Sequence, residues 1–264
     1  MKKIAILLLA ILTFSCSDDD EKGTEEDKGQ WAMIFNETVK SDSNPVDRTE
    51  KFMFDGERLI QHIIKQRYFE EEINNEVNLS YSDNQVTVTT DYLTLVYTLN
   101  SEGYASQCVY SLSSQNRIYQ FSYSAEGYLT GIVENIDNTE YSSTSLTYEN
   151  GDITSISSKM NGLENKFIYE PGEESSTYHL PCLGLLEIHP LTFHIEALYA
   201  GLLGKDPRHF TIRSCPAGSN DEKTVYSYGF DKKGNPSRMI CQTTYAGGQA
   251  SYYPYTRNIS VSFE

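Results

Sequence analysis

Positive charge is scarce in this chain. Its 264 residues include 21 Lys and Arg against 37 Asp and Glu, which gives a formal net charge of −16 at pH 7. Nucleic-acid affinity comes mainly from Lys and Arg that neutralise phosphates, so this balance excludes nucleic acid as a partner. It also disfavours docking of the folded body on an anionic membrane.

Familiar catalytic motifs are missing as well. The sequence has no Gly-x-Ser-x-Gly nucleophile motif and no glycine-rich loop that would cradle a phosphate. Two carboxylate runs, at residues 70–72 and 173–174, are typical of solvated faces. We therefore expect no enzymatic activity and no cofactor, and a hydrolase is the last of our functional hypotheses.

Long apolar runs are absent beyond the first twelve residues. Lys2 and Lys3 precede a short apolar core at residues 4–12, and small residues then lead to Cys16. This segment is too short to span a membrane as a helix and is typical of a secretory signal that is removed in the mature protein. The sequence therefore predicts a signal peptide at residues 1–15.

Cys16 stands at the end of Thr-Phe-Ser-Cys, where an ordinary signal would have a small-residue cleavage site. The pattern resembles the lipobox of bacterial lipoproteins, which implies cleavage before Cys16 and a diacylglycerol on its sulfur. A plain signal peptide with an incidental cysteine is the alternative. Residues 16–30 would then form a lipidated acidic tether that attaches the protein to a membrane.

An acidic run, Ser-Asp-Asp-Asp-Glu at residues 17–21, follows directly. Like charges repel and keep a linker extended, which is the simpler interpretation. The run also resembles the export signal of Bacteroidetes surface lipoproteins. That resemblance implies anchoring in the outer membrane, with the protein facing the cell exterior.

Cysteine is sparse: four remain after Cys16, namely Cys108, Cys182, Cys215 and Cys241. Export would place them where disulfides form, and four cysteines allow three pairings. Cys182 and Cys215 flank a helical-looking insertion and are the favoured pair. Free buried thiols are the alternative, because a domain of this size does not need disulfides to fold.

Hairpin units repeat along the body of the chain. Gly103, Gly127 and Gly151 are 24 residues apart (127 − 103 and 151 − 127), and each lies between alternating apolar and polar stretches. Glu-Gly and Asn-Gly pairs in this context indicate tight turns, so Gly127 and Gly151 should have positive φ. Further members centre on Gly56, Asn84, Gly172 and Gly234.

A hairpin cannot bury a face alone, so neighbouring hairpins must pair in sequence. We expect a single all-β domain at residues 31–264. It would be an antiparallel up-and-down meander, strongly curved or closed into a barrel-like sheet. One α-helix is predicted near residues 190–204, between Pro190 and Gly204, with Leu191, Ile195, Leu198 and Leu202 on one face. It would cover a sheet edge or plug a barrel end.

The lipobox, the acidic tether, the hairpin repeats and the segment at residues 195–205 followed by Pro207 together resemble a known family. It is a Bacteroidetes family of secreted lipoproteins of unknown function with a porin-like fold. The resemblance covers about residues 35–264 and implies an antiparallel β fold. It brings no activity and no catalytic residue.

Two further groups of residues are candidate sites. The metal-like set comprises His179, Cys182, His189, His194, His209 and Cys215. Its spacing is irregular for zinc, so we expect no metal site, and His194 should lie at a surface or in an interface. Of twenty tyrosines, Tyr252, Tyr253 and Tyr255 are the candidates for an exposed ligand-binding patch.

The leading hypothesis is a lipid-anchored surface lipoprotein, a non-catalytic binding or structural module whose ligand is a glycan or a protein. The alternative is a barrel-like carrier of an apolar ligand or a pore-like protein. Strands such as residues 141–146 place polar residues on both faces, which would be costly for a lipid-facing strand. The body is therefore expected to lie outside the bilayer.

Overall fold

The chain folds into a closed β-barrel. In a computed structural model, residues 29–40, 46–68, 71–112, 115–176, 188–219, 222–244 and 255–264 are described. Within these ranges sixteen strands pair antiparallel with their sequence neighbours, and the first strand pairs with the last. The predicted all-β up-and-down meander is confirmed, and it is closed.

Most strands are longer than average, with 8 to 13 residues, whereas the fifth and sixth have 5 and 6. They are β1 Gln30–Lys40, β2 Val46–Asp55, β3 Arg58–Tyr68, β4 Glu71–Ser82, β5 Gln85–Thr89, β6 Thr94–Leu99, β7 Ala105–Leu112, β8 Gln115–Tyr123, β9 Leu129–Ile136, β10 Thr139–Glu149, β11 Asp152–Met160, β12 Leu163–Ser175, β13 His209–Pro216, β14 Lys223–Phe230, β15 Pro236–Thr244 and β16 Tyr255–Phe263.

The barrel buries its apolar residues on the inside. On β5, Val86 and Val88 are buried while Gln85 and Thr89 are exposed. The buried residues of all the walls form one core. A membrane-spanning barrel has the opposite pattern, with apolar residues outside and polar residues inside.

Apolar side chains on the outer face do not form a continuous band. Val96, Val109 and Ile118 are directly paired across β6, β7 and β8 and form one short row. Thr87 and Asn135 are the next residues in register on either side of it. The outer surface of the described barrel therefore lacks the continuous apolar girdle of a membrane barrel.

The two ends of the barrel differ. We call one the closed end; its turns contain Gly56, Gly103, Gly127 and Gly151, and β1 begins there. We call the other the mouth; its turns include residues 90–93, 137–138 and 161–162. The positive φ predicted for Gly127 and Gly151 is confirmed, at 92° and 90°. Gly172, in contrast, lies within β12 and not in a turn.

An inserted segment, residues 188–204, lies inside the barrel, and we call it the plug. Leu191, Ala197, Tyr199, Leu202 and Leu203 of the plug are buried in the barrel core. Sixteen-stranded barrels are wide enough to leave an aqueous channel, so side chains from the wall alone would not fill this one. The segment was predicted either to cover a sheet edge or to plug the barrel. A closed barrel has no sheet edge, and the segment plugs the barrel.

The plug is less helical than predicted. A 3-10 turn at Leu191–Phe193 is followed by a helix α1 at Ile195–Tyr199 only. The amide of Gly201, with φ 68°, donates to the Leu198 carbonyl, and the amide of Leu202 donates to Ala197. This left-handed cap ends the helix at Gly201, before the predicted stop at Gly204. No helix in the described part of the chain has the length and hydropathy needed to cross a bilayer.

Gly204 fixes the plug to the closed end. Its φ is 90°, and a Cβ at this position would lie 2.6 Å from the backbone oxygen of Gly127. That oxygen also accepts a hydrogen bond from the Lys205 amide, at 2.9 Å. The exit of the plug and the β8–β9 turn are thus in backbone contact with no room for a side chain.

We expect Gly204→Ala to destabilise the protein more than Gly162→Ala. Gly162 has a similar φ of 79°, but a Cβ added there would meet no atom within 4 Å, so its substitution carries the backbone strain alone. That strain is about 1–2 kcal/mol, and the collision with Gly127 should add roughly 1 kcal/mol. Denaturant titration of both variants checks this; equal losses would show that the plug exit shifts freely.

Candidate functional site

Two cavities open at the mouth, one on each side of the plug. The first, about 360 Å³, lies against β11–β14 and is lined by His189; we call it the His189 cavity. The second, about 430 Å³, lies against β3–β7 and is lined by Phe193; we call it the Phe193 cavity. Both volumes are in the range of small-molecule sites.

On a third side, facing β9–β11, little space is left between the plug and the wall. Near the closed end, this space is about 30 Å³, which is about the volume that one water molecule occupies in the liquid. Leu198 and Leu203 of the plug pack there against Leu129, Leu146 and Ile153 of the wall. A small molecule can therefore be held at the mouth but not at this point of the closed end.

A buried carboxylate holds the plug beside the His189 cavity. Glu134 on β9 has no exposed surface, and its oxygens lie 2.6 Å from His189 Nε2 and 2.8 Å from Ser142 Oγ. Arg117 Nη1 and the Tyr119 hydroxyl complete the cluster, each at 3.2 Å. Every oxygen of this carboxylate is thus hydrogen-bonded, as a buried charge requires.

Burial alone would raise the pKa of Glu134, but the hydrogen bonds from His189 and Ser142 outweigh it and hold the pKa below its ordinary value. The carboxylate is ionised at neutral pH. Ser142 donates to Glu134 and not to His189, so the three residues are not arranged to activate a serine nucleophile. The cluster positions the imidazole of His189 and fixes the plug to the wall.

A second buried cluster fastens the plug on the opposite side. His62 on β3 is fully buried, with Nε2 2.9 Å from Glu50 of β2 and Nδ1 2.8 Å from Glu196 of α1. Arg48 pairs with Glu50 at 2.8 Å. The His62 ring also stacks on Phe52, with centroids 4.0 Å apart. This chain of charges bridges wall and helix.

The protonation states of this second cluster follow from its geometry. Burial alone would lower the pKa of His62, but its hydrogen bonds to Glu196 and Glu50 raise it above 6.5. Burial alone would raise the pKa of Glu50, but the hydrogen bond from His62 and the charge of Arg48 lower it below 4.5. A protonated His62 thus donates from both ring nitrogens to two carboxylates.

We expect stability to fall as the pH rises above neutrality. A raised folded-state pKa means that the stabilisation by His62 is fully present below the unfolded value of 6.5 and is lost as the pH passes the folded value. The melting temperature of the wild type should drop as the pH rises above 6.5, more steeply than that of His62→Gln. Parallel curves for the two proteins would mean that His62 does not titrate in this window.

His194 was predicted at a surface or interface, and this is wrong. It is fully buried in the plug, and burial lowers its pKa to about 3, so the ring is neutral. Its Nδ1 lies 2.8 Å from the Tyr97 hydroxyl, and its ring meets Tyr119 and Phe121 edge to face. The prediction fails because the barrel wall surrounds this part of the plug, and the His194 ring packs against Tyr97, Tyr119 and Phe121 of the wall.

The described histidines of the metal-like set lie in different places. His189 contacts Glu134, while His209 Nδ1 lies 2.9 Å from Asp152 at the closed end. Within the described ranges, no group of three or more His, Cys, Asp or Glu could hold a metal. His179 lies outside the described residues.

The predicted disulfide stays a prediction. Cys215 is half-buried on β13 and forms no disulfide with another described residue, and Cys182 lies outside the described ranges. Cys108 and Cys241 are both buried, and burial raises the pKa of the Cys108 thiol to about 12. That thiol is therefore protonated and unreactive at neutral pH.

Other predicted positions fall outside the described structure. The signal peptide, Cys16 and the tether up to residue 28 are not described, and neither are Tyr252 and Tyr253. Tyr255 begins β16, but its side chain is not described. The acidic residues Glu71, Glu72, Glu173 and Glu174 are exposed, as expected of solvated faces, and Glu70 lies outside the described ranges.

The two wall residues that fasten the plug were missed at the sequence level. Glu134 of β9 and His62 of β3 are buried, and their partners in the plug are 55 and 134 residues away in sequence. A charged residue at an inward-facing position of a strand indicates a buried polar cluster. The sequence spacing does not show which residue is its partner.

A barrel with a filled lumen, a plug fastened by two ionic clusters and cavities at one end defines the class: a plugged porin-like barrel. The chain belongs to the family described as "Domain of unknown function (DUF4595) with porin-like fold", whose model matches residues 52–238. The resemblance drawn from the lipobox, the acidic tether, the hairpin repeats and residues 195–205 is thereby confirmed as far as the family of unknown function and its porin-like fold.

Solved structures agree with this class. The chain is similar to a porin-like protein from Bacteroides uniformis, with 26% identity, a TM-score of 0.80, and coverage of 88% of this chain and 96% of that one. A porin-like protein from Bacteroides vulgatus is similar in fold, with 11% identity, a TM-score of 0.52, and coverage of 86% and 96%. No curated protein matches the chain.

Proposed function

We propose that this protein is a lipid-anchored surface lipoprotein whose barrel is a non-catalytic binding module outside the bilayer. The observation that carries the proposal is the reversed alternation of the strands, with apolar residues such as Val86 and Val88 inside and Gln85 and Thr89 outside. Charged or polar residues on a lipid-facing strand are costly at the membrane midplane. Such a barrel is stable in water.

The plug supports binding over conduction. It fills the lumen near the closed end and is fixed by Glu134 on one side and His62 on the other. An open channel would require both clusters to break and a buried carboxylate to lose its partners. The mouth, in contrast, offers two cavities of small-molecule size.

The position of the tether supports an outward-facing mouth. β1 begins at Gln30 at the closed end, 14 residues after Cys16 (30 − 16). A linker of this length spans at most about 50 Å when fully extended. The lipid would therefore hold the closed end near the membrane surface, and the mouth would face the medium from which a ligand arrives. The acidic residues 18–21 resemble an export signal and support the same location on the cell exterior.

A carrier of apolar ligands is the second candidate. The Phe193 cavity favours it, because its floor is built from apolar side chains, among them Val77, Val88, Leu95 and Ile195. Such a cavity would suit an acyl chain or a similar ligand. The His189 cavity is lined by hydroxyl, amide and imidazole groups and by no carboxylate of a described residue, and it favours the leading proposal.

A bilayer experiment separates a binding module from a pore. Purified mature lipoprotein should give no ion current in a planar bilayer, and the non-lipidated Cys16→Ala protein should stay monodisperse without detergent. The physical reason is the polar outer face of the barrel. Discrete conductance steps, together with aggregation of the Cys16→Ala protein unless detergent is added, would identify a pore and refute the proposal.

A further inference from the structure

We infer that the His189 cavity binds a neutral, polyhydroxylated ring, that is, a sugar unit of a glycan. This inference rests on the proposed binding function and names the ligand class for one of the two cavities. It is carried by three features of the cavity wall: its lack of formal charge, its aromatic faces and its mixed polar groups.

The first feature is electrostatic. None of the described residues that line the His189 cavity is Lys, Arg, Asp or Glu. An ionic ligand would lose its hydration there and meet no Lys, Arg, Asp or Glu side chain, and the imidazole of His189 is already paired with Glu134, so the loss of hydration would be costly. The Phe193 cavity differs, because Asp91 and Glu196 are among its lining residues. The His189 cavity therefore selects a neutral ligand.

The second feature is aromatic surface. Phe167 and Tyr169 of β12 and Tyr226 of β14 all line the cavity. The Tyr226 hydroxyl bonds Ser214 at 3.2 Å, which fixes its ring against the wall. Aromatic faces are apolar surfaces with a negative quadrupole, and the C–H groups on one face of a sugar ring complement them. Phe167 is half-buried and gives a flat ligand a ring on which to pack, while Tyr169 and Tyr226 are buried in the wall.

The third feature is a set of polar groups that combine donors and acceptors. His189 Nε2 is bound to Glu134, whereas Nδ1 makes no hydrogen bond to any described residue. Asn161 and Asn165 line the same cavity with exposed side chains, and each amide carries donors and an acceptor. Hydroxyl groups also both donate and accept, so a polyol can pair with all of these groups. An acyl chain would leave them without partners.

Glu134 makes His189 a directional contact. With Nε2 committed to the buried carboxylate, the ring cannot rotate without breaking a 2.6 Å hydrogen bond. Nδ1 therefore presents its lone pair or its proton in a fixed direction. A preorganised polar group of this kind adds orientation and specificity to packing on the aromatic faces.

Native mass spectrometry of the full-length mature lipoprotein, released from detergent micelles, tests the inference. The probes are maltose, cellobiose and lactose, with sialyllactose as a charged match to lactose and palmitate as an apolar probe. At least one neutral disaccharide should bind below about 10 mM, and sialyllactose should bind more weakly than lactose.

Two variants locate the site. Asn165→Ala should weaken disaccharide binding about three- to tenfold through a lost hydrogen bond. Phe167→Leu, which keeps an apolar side chain but removes the ring, should weaken it about tenfold. Asn75→Ala, an exposed asparagine that lines the Phe193 cavity, is the matched control and should change nothing. Melting curves verify that each variant is folded.

The failures are distinguishable. Disaccharide binding that is lost in Asn75→Ala but kept in Asn165→Ala would move the sugar to the Phe193 cavity and overturn the inference while keeping the binding module. Binding of palmitate alone would overturn the sugar class in favour of a carrier. If none of the probes binds, the inference fails, and an ion current in the bilayer experiment would then show that the proposed function fails with it.

Discussion

Replacing Glu134 with Ala should destabilise the protein by about 3 kcal/mol. Removing one partner of a buried ion pair lowers the free energy of unfolding by about 3–5 kcal/mol, because the remaining charge is left without compensation. Arg117 and His189 keep 29% and 35% of their side-chain surface exposed, so both can recover water and the lower end is expected. For a chain of this size the melting temperature should fall by about 6–12 °C.

Two further substitutions sharpen this prediction. Glu140→Ala removes an exposed carboxylate on the neighbouring strand β10 and should change stability by less than about 0.5 kcal/mol. Glu134→Gln keeps the hydrogen-bonding shape and removes only the charge, so it should fall between the two. Melting curves and urea titrations of all three variants measure the differences. A Glu134→Ala protein as stable as Glu140→Ala would mean that the plug does not depend on this carboxylate.

Cys16→Ala should release the protein from the membrane completely. An acyl chain contributes about 0.8 kcal/mol for each buried methylene, so the proposed diacylglycerol supplies nearly all of the membrane affinity. Because Cys16→Ala leaves nothing to lipidate and prevents processing by the lipoprotein signal peptidase, the variant is expressed behind a cleavable non-lipoprotein signal, so that residues 1–15 do not remain as an apolar anchor. Fractionation of cells followed by immunoblotting measures both the location and the size of the product.

Ser17→Ala is the matched control, since it changes the neighbouring residue and leaves the cysteine intact. It should fractionate with the membrane, as the wild type does. Membrane association of Cys16→Ala that survives a high-salt wash would contradict the lipid-anchor proposal. The barrel body would then have an affinity for the membrane that its polar outer face does not suggest.

Much of the fold was predictable because its signals are local. Hairpin turns require left-handed residues, and Gly127 and Gly151 mark two of them directly. Alternation along strands such as β5 defines the buried face. Closure of the barrel could not be predicted in the same way, because it depends on pairing between β1 and β16, which lie at opposite ends of the described chain. No local pattern reports that contact.

The interior of the barrel was less predictable. The helical spacing of Leu191, Ile195, Leu198 and Leu202 suggested one amphipathic helix, but a segment surrounded by the wall is buried on several sides and has no need of one apolar face. Gly172 resembled a turn glycine and lies within β12 instead, facing Ile212 of β13. In both cases the surrounding structure overrode a correct local preference.

The candidate site depends on contacts across the barrel. His189 and Glu134 come from the plug and from β9, while Phe167 and Tyr226 come from β12 and β14. None of them stands out in its own stretch of sequence. Their convergence follows from closure and from the path of the plug, and both are properties of the whole chain.

The pairing of β1 with β16 has a consequence for how the protein is made. The Ala32 amide bonds the carbonyl of Glu264, and the Glu264 amide bonds the carbonyl of Ala32, so the seam joins the first and last strands. During synthesis the N-terminal strands emerge first and keep an open edge until β16 arrives. Such an edge invites pairing with other chains, and contacts between distant parts of a chain form slowly. Chaperones that shield unpaired strands should therefore matter for the yield of this protein, and removal of β16 should produce aggregation in place of a smaller barrel.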